Sequence, residues 1–279
     1  MLENNLTGVI FCYTARMIID GKGIAQDIYR ELQNTVTHMD VAPHLTVFTC
    51  APNFETQKYL QLKKRKATQV GIGVNIIELP QTLTTEEIVQ SVTHACMQTD
   101  GIIVQLPLPA HIDTEAVLAA IPVPYDVDGM HYDGTADTCM SPVVAAISEI
   151  TERHDVLFAA QKVVVLGHGK LVGEPAALWA QTQGGQVVVL TKDSKDTEAE
   201  IASANILILG AGAPGFVKPE MIKEGVVIFD AGTSEDGGEL VGDAHPDCAK
   251  KASLMTPVPK GIGPITIAML LRNLISLAK

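Results

Sequence analysis

Four short runs of branched aliphatic residues dominate the second half of the chain: Val163–Leu166, Val187–Leu190, Ile206–Leu209 and Val226–Phe229. They start 24, 19 and 20 residues apart. Runs of this length without polar alternation are buried on both faces, as in parallel strands sandwiched between helices. The spacing leaves room for one helix between successive runs. It therefore predicts a doubly wound, Rossmann-like α/β sheet of the dinucleotide-binding kind. Aromatic residues make up only 4% of the chain against 47% hydrophobic residues, so the core is aliphatic, which suits that class.

The first half shows the same alternation. Ile24, Ile28, Leu32 and Val36 recur every four residues and predict a helix over about 23–39. A strand is expected at Leu45–Cys50, a helix over 54–69, and a strand at Val74–Glu78. Thr84 and Glu87 have the spacing of a capping box. Gly101–Gln105 reads as a short buried strand stopped by Leu106-Pro107-Leu108-Pro109, and Asp113 can cap a helix reaching Ile121. Residues 122–141 are irregular, and Ser141-Pro142 then reads as an N-cap followed by proline at the first helical position. A domain boundary is expected there. At roughly 150 residues per domain, 279 residues accommodate two. The last helix is expected over 265–279, after Pro264.

Twenty Lys and Arg against 32 Asp and Glu give a net charge of −12, which argues against nucleic acid or an anionic membrane as a general partner. The five cysteines (12, 50, 96, 139 and 248) never form a C-x-x-C pair, which suggests free thiols in a reducing compartment. No apolar run reaches about 18 residues, and the start of the chain, with Glu3, lacks a signal-peptide layout. A cytoplasmic location is the expectation. His94 and Cys96 lie two apart on a predicted helix and make a poor metal pair; no metal is expected.

Gly167-His168-Gly169 follows the first of the four runs directly, and Leu171-Val172-Gly173-Glu174-Pro175 opens an Ala-rich stretch. Glycines at such a turn let the backbone approach a pyrophosphate seated at a helix N-terminus. The third glycine is one residue late for G-x-G-x-x-G, so the turn alone fits either a nucleotide cradle or a tight strand-to-helix connection. Asp193, about 20 residues beyond Gly173, can accept from a ribose hydroxyl and favour NAD, or be a solvated loop acid. Lys192 and His168 suit a 2′-phosphate instead.

Thr56, Tyr59 and Lys63 share one face of the predicted helix 54–69, which continues into Lys64-Arg65-Lys66. A solvated basic face is one reading of it. Tyr59 fits either an aromatic ligand or the core. Gln105 ends a strand, where ligands of open α/β sheets bind. Asp126-Val127-Asp128-Gly129 lies in the irregular stretch before the second domain.

In this order these segments resemble the bifunctional methylenetetrahydrofolate dehydrogenase/methenyltetrahydrofolate cyclohydrolase family. The likeness continues through Gly212-Ala213-Pro214-Gly215-Phe216, Val241-Gly242-Asp243-Ala244 and Thr256-Pro257-Val258-Pro259-Lys260-Gly261-Ile262-Gly263-Pro264-Ile265-Thr266. It covers nearly the whole chain. The resemblance implies a folate-binding lobe of residues 1–141 joined by the helix 265–279, an NAD(P)-binding lobe of residues 142–264, and a homodimer working in one-carbon metabolism. Lys63 falls on the catalytic lysine, Gln105 on the glutamine that contacts it, Asp128 on the pterin anchor and Tyr59 on the folate-stacking tyrosine. Thr56, Pro259 and Gly261 fall on the substrate side. Gly167, His168, Gly169, Val172, Gly173, Lys192, Asp193 and Thr233 fall on the side of NADP, or of NAD.

The chain departs from the family pattern at several places. Thr56 replaces Ser and keeps a hydroxyl. Gly169 stands where Ser is usual, His168 where Arg is frequent, and Lys260 where Gly is usual. The segment from Gly129 to Pro142 is shorter than the family loop, and its P-C-T-P signature is Cys139-Met140-Ser141-Pro142. An enzyme that keeps only one step, the hydrolytic one being better supported, and a folate- or nucleotide-binding protein without turnover are the alternatives.

Overall fold

The computed structural model describes residues 16–278. Glu3 and Cys12 lie outside the described residues. In chain order the first half contains β1 (Met17–Ile18), α1 (Gly21–Thr37), β2 (His44–Cys50), α2 (Phe54–Gln69), β3 (Gly73–Leu79), α3 (Thr85–Ala95), β4 (Gly101–Val104) and α4 (Thr114–Ala119). Then follow α5 (Pro142–Arg153), β5 (Lys162–Leu166), α6 (Gly173–Thr182), β6 (Gln186–Leu190), α7 (Thr197–Ser203), β7 (Ile206–Leu209) and β8 (Val227–Asp230). The chain closes with β9 (Ser234–Asp236), β10 (Glu239–Val241), β11 (Leu254–Met255) and α8 (Ile262–Leu277).

Two parallel sheets organise the molecule. β2, β3 and β4 form the first, in the order β3-β2-β4. The second has six strands in the order β1-β11-β8-β7-β5-β6. Its center is the set of aliphatic runs read from the sequence, all but fully buried in β5, β7 and β8. The edge strand β1 comes from the start of the described chain and pairs with β11, so residues that precede α1 complete the sheet formed by the second half of the chain.

Local signals account for the helix starts. Asn53 caps α2 by accepting from the Thr56 N–H at 2.8 Å. Thr84 and Glu87 form both halves of the capping box on α3. Asp113 caps α4, and Ser141 caps α5 with Pro142 at its first position. The terminal helix departs from expectation: α8 starts at Ile262, not at 265, and takes Pro264 into its first turn. Proline is tolerated there because that turn's N–H groups have no intrahelical acceptor to lose.

α8 is apolar along most of its length and packs on α1, α2 and α5, returning the end of the chain to the first lobe. Arg272 on it donates to Glu149 of α5 and Glu31 of α1, while Arg153 joins Glu149 to Asp27. Together with the buried Leu270, Leu271 and Leu274, these bonds hold three helices at the junction of the lobes.

Candidate active site

α2 is built from straight-chain helix formers, and its buried stripe is Leu60, Lys63 and Ala67, spaced three and four apart. A lysine therefore occupies a core position, with only 6% of its surface exposed. Its ammonium is not orphaned. Lys63 Nζ donates to Gln105 Oε1 at 3.2 Å and stands 4.8 Å from the center of the Tyr59 ring. Gln105 is the residue after β4, and its side-chain Nε2–H donates to the Leu106 carbonyl at 3.0 Å, which fixes the amide with its oxygen toward the lysine.

Asp128 reaches the same place from the irregular segment. Asp126 bridges to Ile102 alongside β4, so the Asp126–Gly129 turn runs next to the end of that strand. Two glycines make this possible. A Cβ on Gly101 would stand 2.4 Å from Val127, and one on Gly129, which has φ +65, would stand 2.6 Å from the Cys139 carbonyl. Asn273 of α8 donates to the carbonyls of Val127 and Met140 at 3.0 and 2.9 Å, tying the turn to the terminal helix.

The charges oppose one another usefully. Burial pulls the Lys63 ammonium below the ordinary lysine range, and the Asp128 carboxylate pulls it partly back. Burial pushes Asp128 up, Lys63 counters it, and Asp126 adds to the rise. Burial and the same carboxylate push the Tyr59 phenol up to about 12. The result is a buried lysine whose charged form is disfavoured by burial, beside an aromatic face and a carboxylate. Thr56 uses its N–H in the helix cap, and Pro259 and Gly261 lie in the turn from β11 into α8. No side-chain hydrogen bond or ion pair joins these three to Lys63, Tyr59, Gln105 or Asp128 among the described residues.

The second half of the site lies along the carboxyl ends of the six-stranded sheet. Gly167 follows β5 with φ +99, and its N–H donates to Leu190 at the end of β6 at 2.8 Å. A Cβ on Gly167 would stand 2.6 Å from the Gly210 carbonyl, and one on Gly173 would stand 2.2 Å from the Gly167 carbonyl. The late third glycine thus does the packing work: it lets α6 start against the turn. Val172 gives α6 no side-chain cap; the N–H groups of Val172 and Glu174 both donate to the Gly169 carbonyl, at 3.2 and 3.1 Å, and residue 175 is proline, so the Gly173 N–H is the one first-turn donor left for an anion. At Gly169 a Cβ would meet nothing within 4 Å, so the turn is open on the side where a pyrophosphate would lie. These residues fit a dinucleotide. His168 is exposed on the same turn, Lys192 and Asp193 are exposed after β6, and Thr233 is exposed after β8.

Sequence motifs and spacing did not single out Asp230 or Asn273. Asp230 had a legible signal, a carboxylate closing an apolar run at the end of a parallel strand. Asn273 had a weaker one, a polar residue within an apolar helix.

Two family models match the chain. The catalytic domain of tetrahydrofolate dehydrogenase/cyclohydrolase matches residues 19–128, and the NAD(P)-binding domain of the same family matches residues 141–279. A bifunctional protein FolD from Halothermothrix orenii is 36% identical over 276 residues, covering 94% of this chain and 98% of that protein.

The chain belongs to the tetrahydrofolate dehydrogenase/cyclohydrolase family.

Solved structures of the family agree in fold. The FolD enzyme of Campylobacter jejuni superposes with a TM-score of 0.90 at 28% identity, covering 94% of this chain and 98% of that one. The Trypanosoma brucei methylenetetrahydrofolate dehydrogenase-cyclohydrolase, solved with NADP and an inhibitor, gives 0.87 at 30% identity over 94% and 96%. In family terms, the Lys63 cluster stands in the part matched by the catalytic domain, and the glycine turn in the part matched by the NAD(P)-binding domain.

Proposed function

We propose that this protein oxidises 5,10-methylenetetrahydrofolate to the 5,10-methenyl form with NADP or NAD, and hydrolyses that product to 10-formyltetrahydrofolate. The observation that carries the reading is a buried lysine held by Gln105 beside Tyr59 and Asp128, in a chain whose other lobe carries an open glycine turn.

Tyr59 offers its ring face to the folate, and Asp128 offers two carboxylate oxygens to adjacent N–H donors on the pterin edge. Gly167, Gly169, Val172 and Gly173 would hold the dinucleotide's phosphates, and His168, Lys192, Asp193 and Thr233 would meet its sugars. A dinucleotide held there would supply the hydride acceptor for the one-carbon bridge, and this chain's part would be to align the two carbons. Hydrolysis demands more of the side chains. A water oxygen bonds to the methenyl carbon and one of its protons passes to neutral Lys63 Nζ, leaving a neutral hydroxyl adduct. The bond from that carbon to N5 then opens with its electron pair on nitrogen, the hydroxyl loses its proton as the formyl C=O forms, N5 takes up one proton, and one proton in all is released to solvent. Gln105 keeps the lysine head aimed through its amide oxygen. The substrate's own positive charge and its engagement of Asp128 both favour neutral Lys63, so binding prepares the base. Thr56, Pro259 and Gly261 complete the substrate side.

The chain further assembles as a homodimer in this reading, as the family resemblance implies. Four free cysteines among the described residues support a reducing, cytoplasmic setting, and no helix among the described residues is long and apolar enough to cross a membrane.

The test is one assay on purified protein given methylenetetrahydrofolate and NADP or NAD, following reduced nicotinamide and the methenyl compound separately. Reduction with either nucleotide, with methenyl decay above the buffer rate, is expected. Lys63→Met should lower hydrolysis by about 10²–10⁴-fold, the usual worth of general acid–base help, with the fold retained. Wild-type hydrolysis in that variant would overturn the role of Lys63. Hydrolysis without reduction would reduce the activity to one step, and silence in both would leave a binding protein.

A further inference from the structure

Two buried aspartates lie behind the dinucleotide half of the site and take no part in the chemistry described above. Asp243 is fully buried, and Asp230 is 1% exposed. The Asp243 carboxylate accepts three consecutive backbone N–H groups: Ala211 at 2.7 Å, Gly212 at 3.2 Å and Ala213 at 2.7 Å. Those residues form the turn after β7. Asp230, the last residue of β8, accepts from the N–H groups of Asp243 at 3.1 Å, Ala244 at 2.8 Å and Gly232 at 2.9 Å. Its own N–H donates to Thr256 Oγ1 at 2.7 Å. The two carboxylates thus work in series. Asp230 fixes the backbone that carries Asp243, and Asp243 fixes the turn after β7.

The packing around them leaves no slack. A Cβ on Gly242 would stand 2.2 Å from Asp230 Oδ2, and one on Gly232 would stand 2.6 Å from the Asp243 carboxylate. The secured turn abuts the glycine turn directly. A Cβ on Gly210 would stand 2.6 Å from Val172, and the Gly210 carbonyl is what crowds Gly167. Gly232 and Thr233 make up the neighbouring turn after β8, so the series links the turns after β7 and β8 with the one after β5.

We propose that Asp243, seated by Asp230, is a positioning residue for the dinucleotide: it holds the turn 211–213 with its N–H groups directed into the protein, so that nucleotide binding depends on it and folate hydrolysis does not. The consequence for ligand contacts is specific. N–H groups spent on Asp243 cannot donate to phosphates, so the phosphates are left to the glycine turn and the Gly173 N–H, and the 211–213 turn acts as a rigid wall. A buried carboxylate receiving three N–H groups is suited to this, because each such bond to a charged acceptor is stronger than its neutral counterpart. This inference rests on the reading of the glycine turn as a nucleotide site.

The experiment uses the full chain with Asp243→Asn. An amide supplies one acceptor oxygen and turns an NH₂ group toward the N–H donors, so the turn loses its anchor with little change in volume. Nucleotide dissociation constants are measured by calorimetry with NADP and with NAD, which needs no turnover. KM for nucleotide, KM for the folate and hydrolysis of supplied methenyltetrahydrofolate are measured alongside. The expected result is nucleotide affinity weakened tenfold or more and nucleotide KM raised to match. The folate KM and the hydrolysis rate should stay within about twofold. Asp230→Asn, which acts one step further away, should shift the same quantities by less. Unchanged nucleotide affinity in Asp243→Asn would overturn the proposal, as would parallel loss of affinity and hydrolysis in both variants, since a purely structural carboxylate would cause that. A wild-type chain that binds neither nucleotide would instead overturn the reading of the glycine turn, and the inference with it.

Discussion

Replacing Gln105 by Glu probes the electrostatic control of Lys63, because the side chain keeps its shape and its acceptor oxygen while it gains charge and loses the amide donor. That oxygen lies 3.2 Å from Lys63 Nζ. Two unit charges at that distance attract by about 5 kcal/mol at an effective dielectric constant of about 20, which is an upper bound before the carboxylate's own desolvation is subtracted. Opposite charges at contact move protein pKa values by about 1–3 units. The sign is fixed: the new carboxylate favours the ammonium form and moves the Lys63 titration upward, against the lowering by burial. Hydrolysis needs neutral lysine, so its rate rises with pH through that titration, and the rising limb should move to higher pH by about 1–3 pH units. On the rising limb this is a loss of about 10–1000-fold at a given pH, recovered progressively as the medium is made alkaline. The same change removes the bond from the amide to the Leu106 carbonyl, which adds a loss that does not vary with pH. The assay is methenyltetrahydrofolate hydrolysis from pH 6 to pH 10, with the buffer rate subtracted at every point. Hydride transfer requires no proton removal and should fall less. An unmoved limb, or a loss equal at all pH values, would refute the assignment of Lys63 as the base and of Gln105 as its modulator.

Two further substitutions test the backbone around the cleft. Gly173→Ala should destabilise the chain by about 1–3 kcal/mol, the cost of overpacking a tight contact, because the added Cβ would meet a backbone carbonyl at 2.2 Å that has no side chain to swing away. Urea unfolding checks this, and an unchanged midpoint would show that α6 is free to shift. Lys260→Gly should stabilise by about 1 kcal/mol, the steric cost a Cβ carries in the left-handed region, since Lys260 has φ +87. Its unfolding midpoint should rise, and a fall would mean that the exposed lysine makes a contact worth more than its strain.

Much of this protein is written locally. The aliphatic runs became β5 to β8, and the capping signals at Thr84, Asp113 and Ser141 became helix starts, because each depends on residues only a few positions apart. The order of motifs was enough to indicate the family and to single out Lys63, Gln105 and Asp128. Three features depended on the tertiary structure. Spacing alone could not say whether the face of α2 bearing Lys63 met solvent or core; its burial follows from packing against strands whose partner residue, Gln105, lies 42 positions away. The pairing of Met17–Ile18 with β11 joins opposite ends of the chain and has no local signature. Neither does the series from Asp230 through Asp243 to the 211–213 turn, where a carboxylate finds its donors 30 to 32 residues away. Hydrogen bonds and hydrophobic periodicity within one element leave a repeating mark on the sequence, whereas the partner of a buried charge is chosen by which elements the sheets bring together.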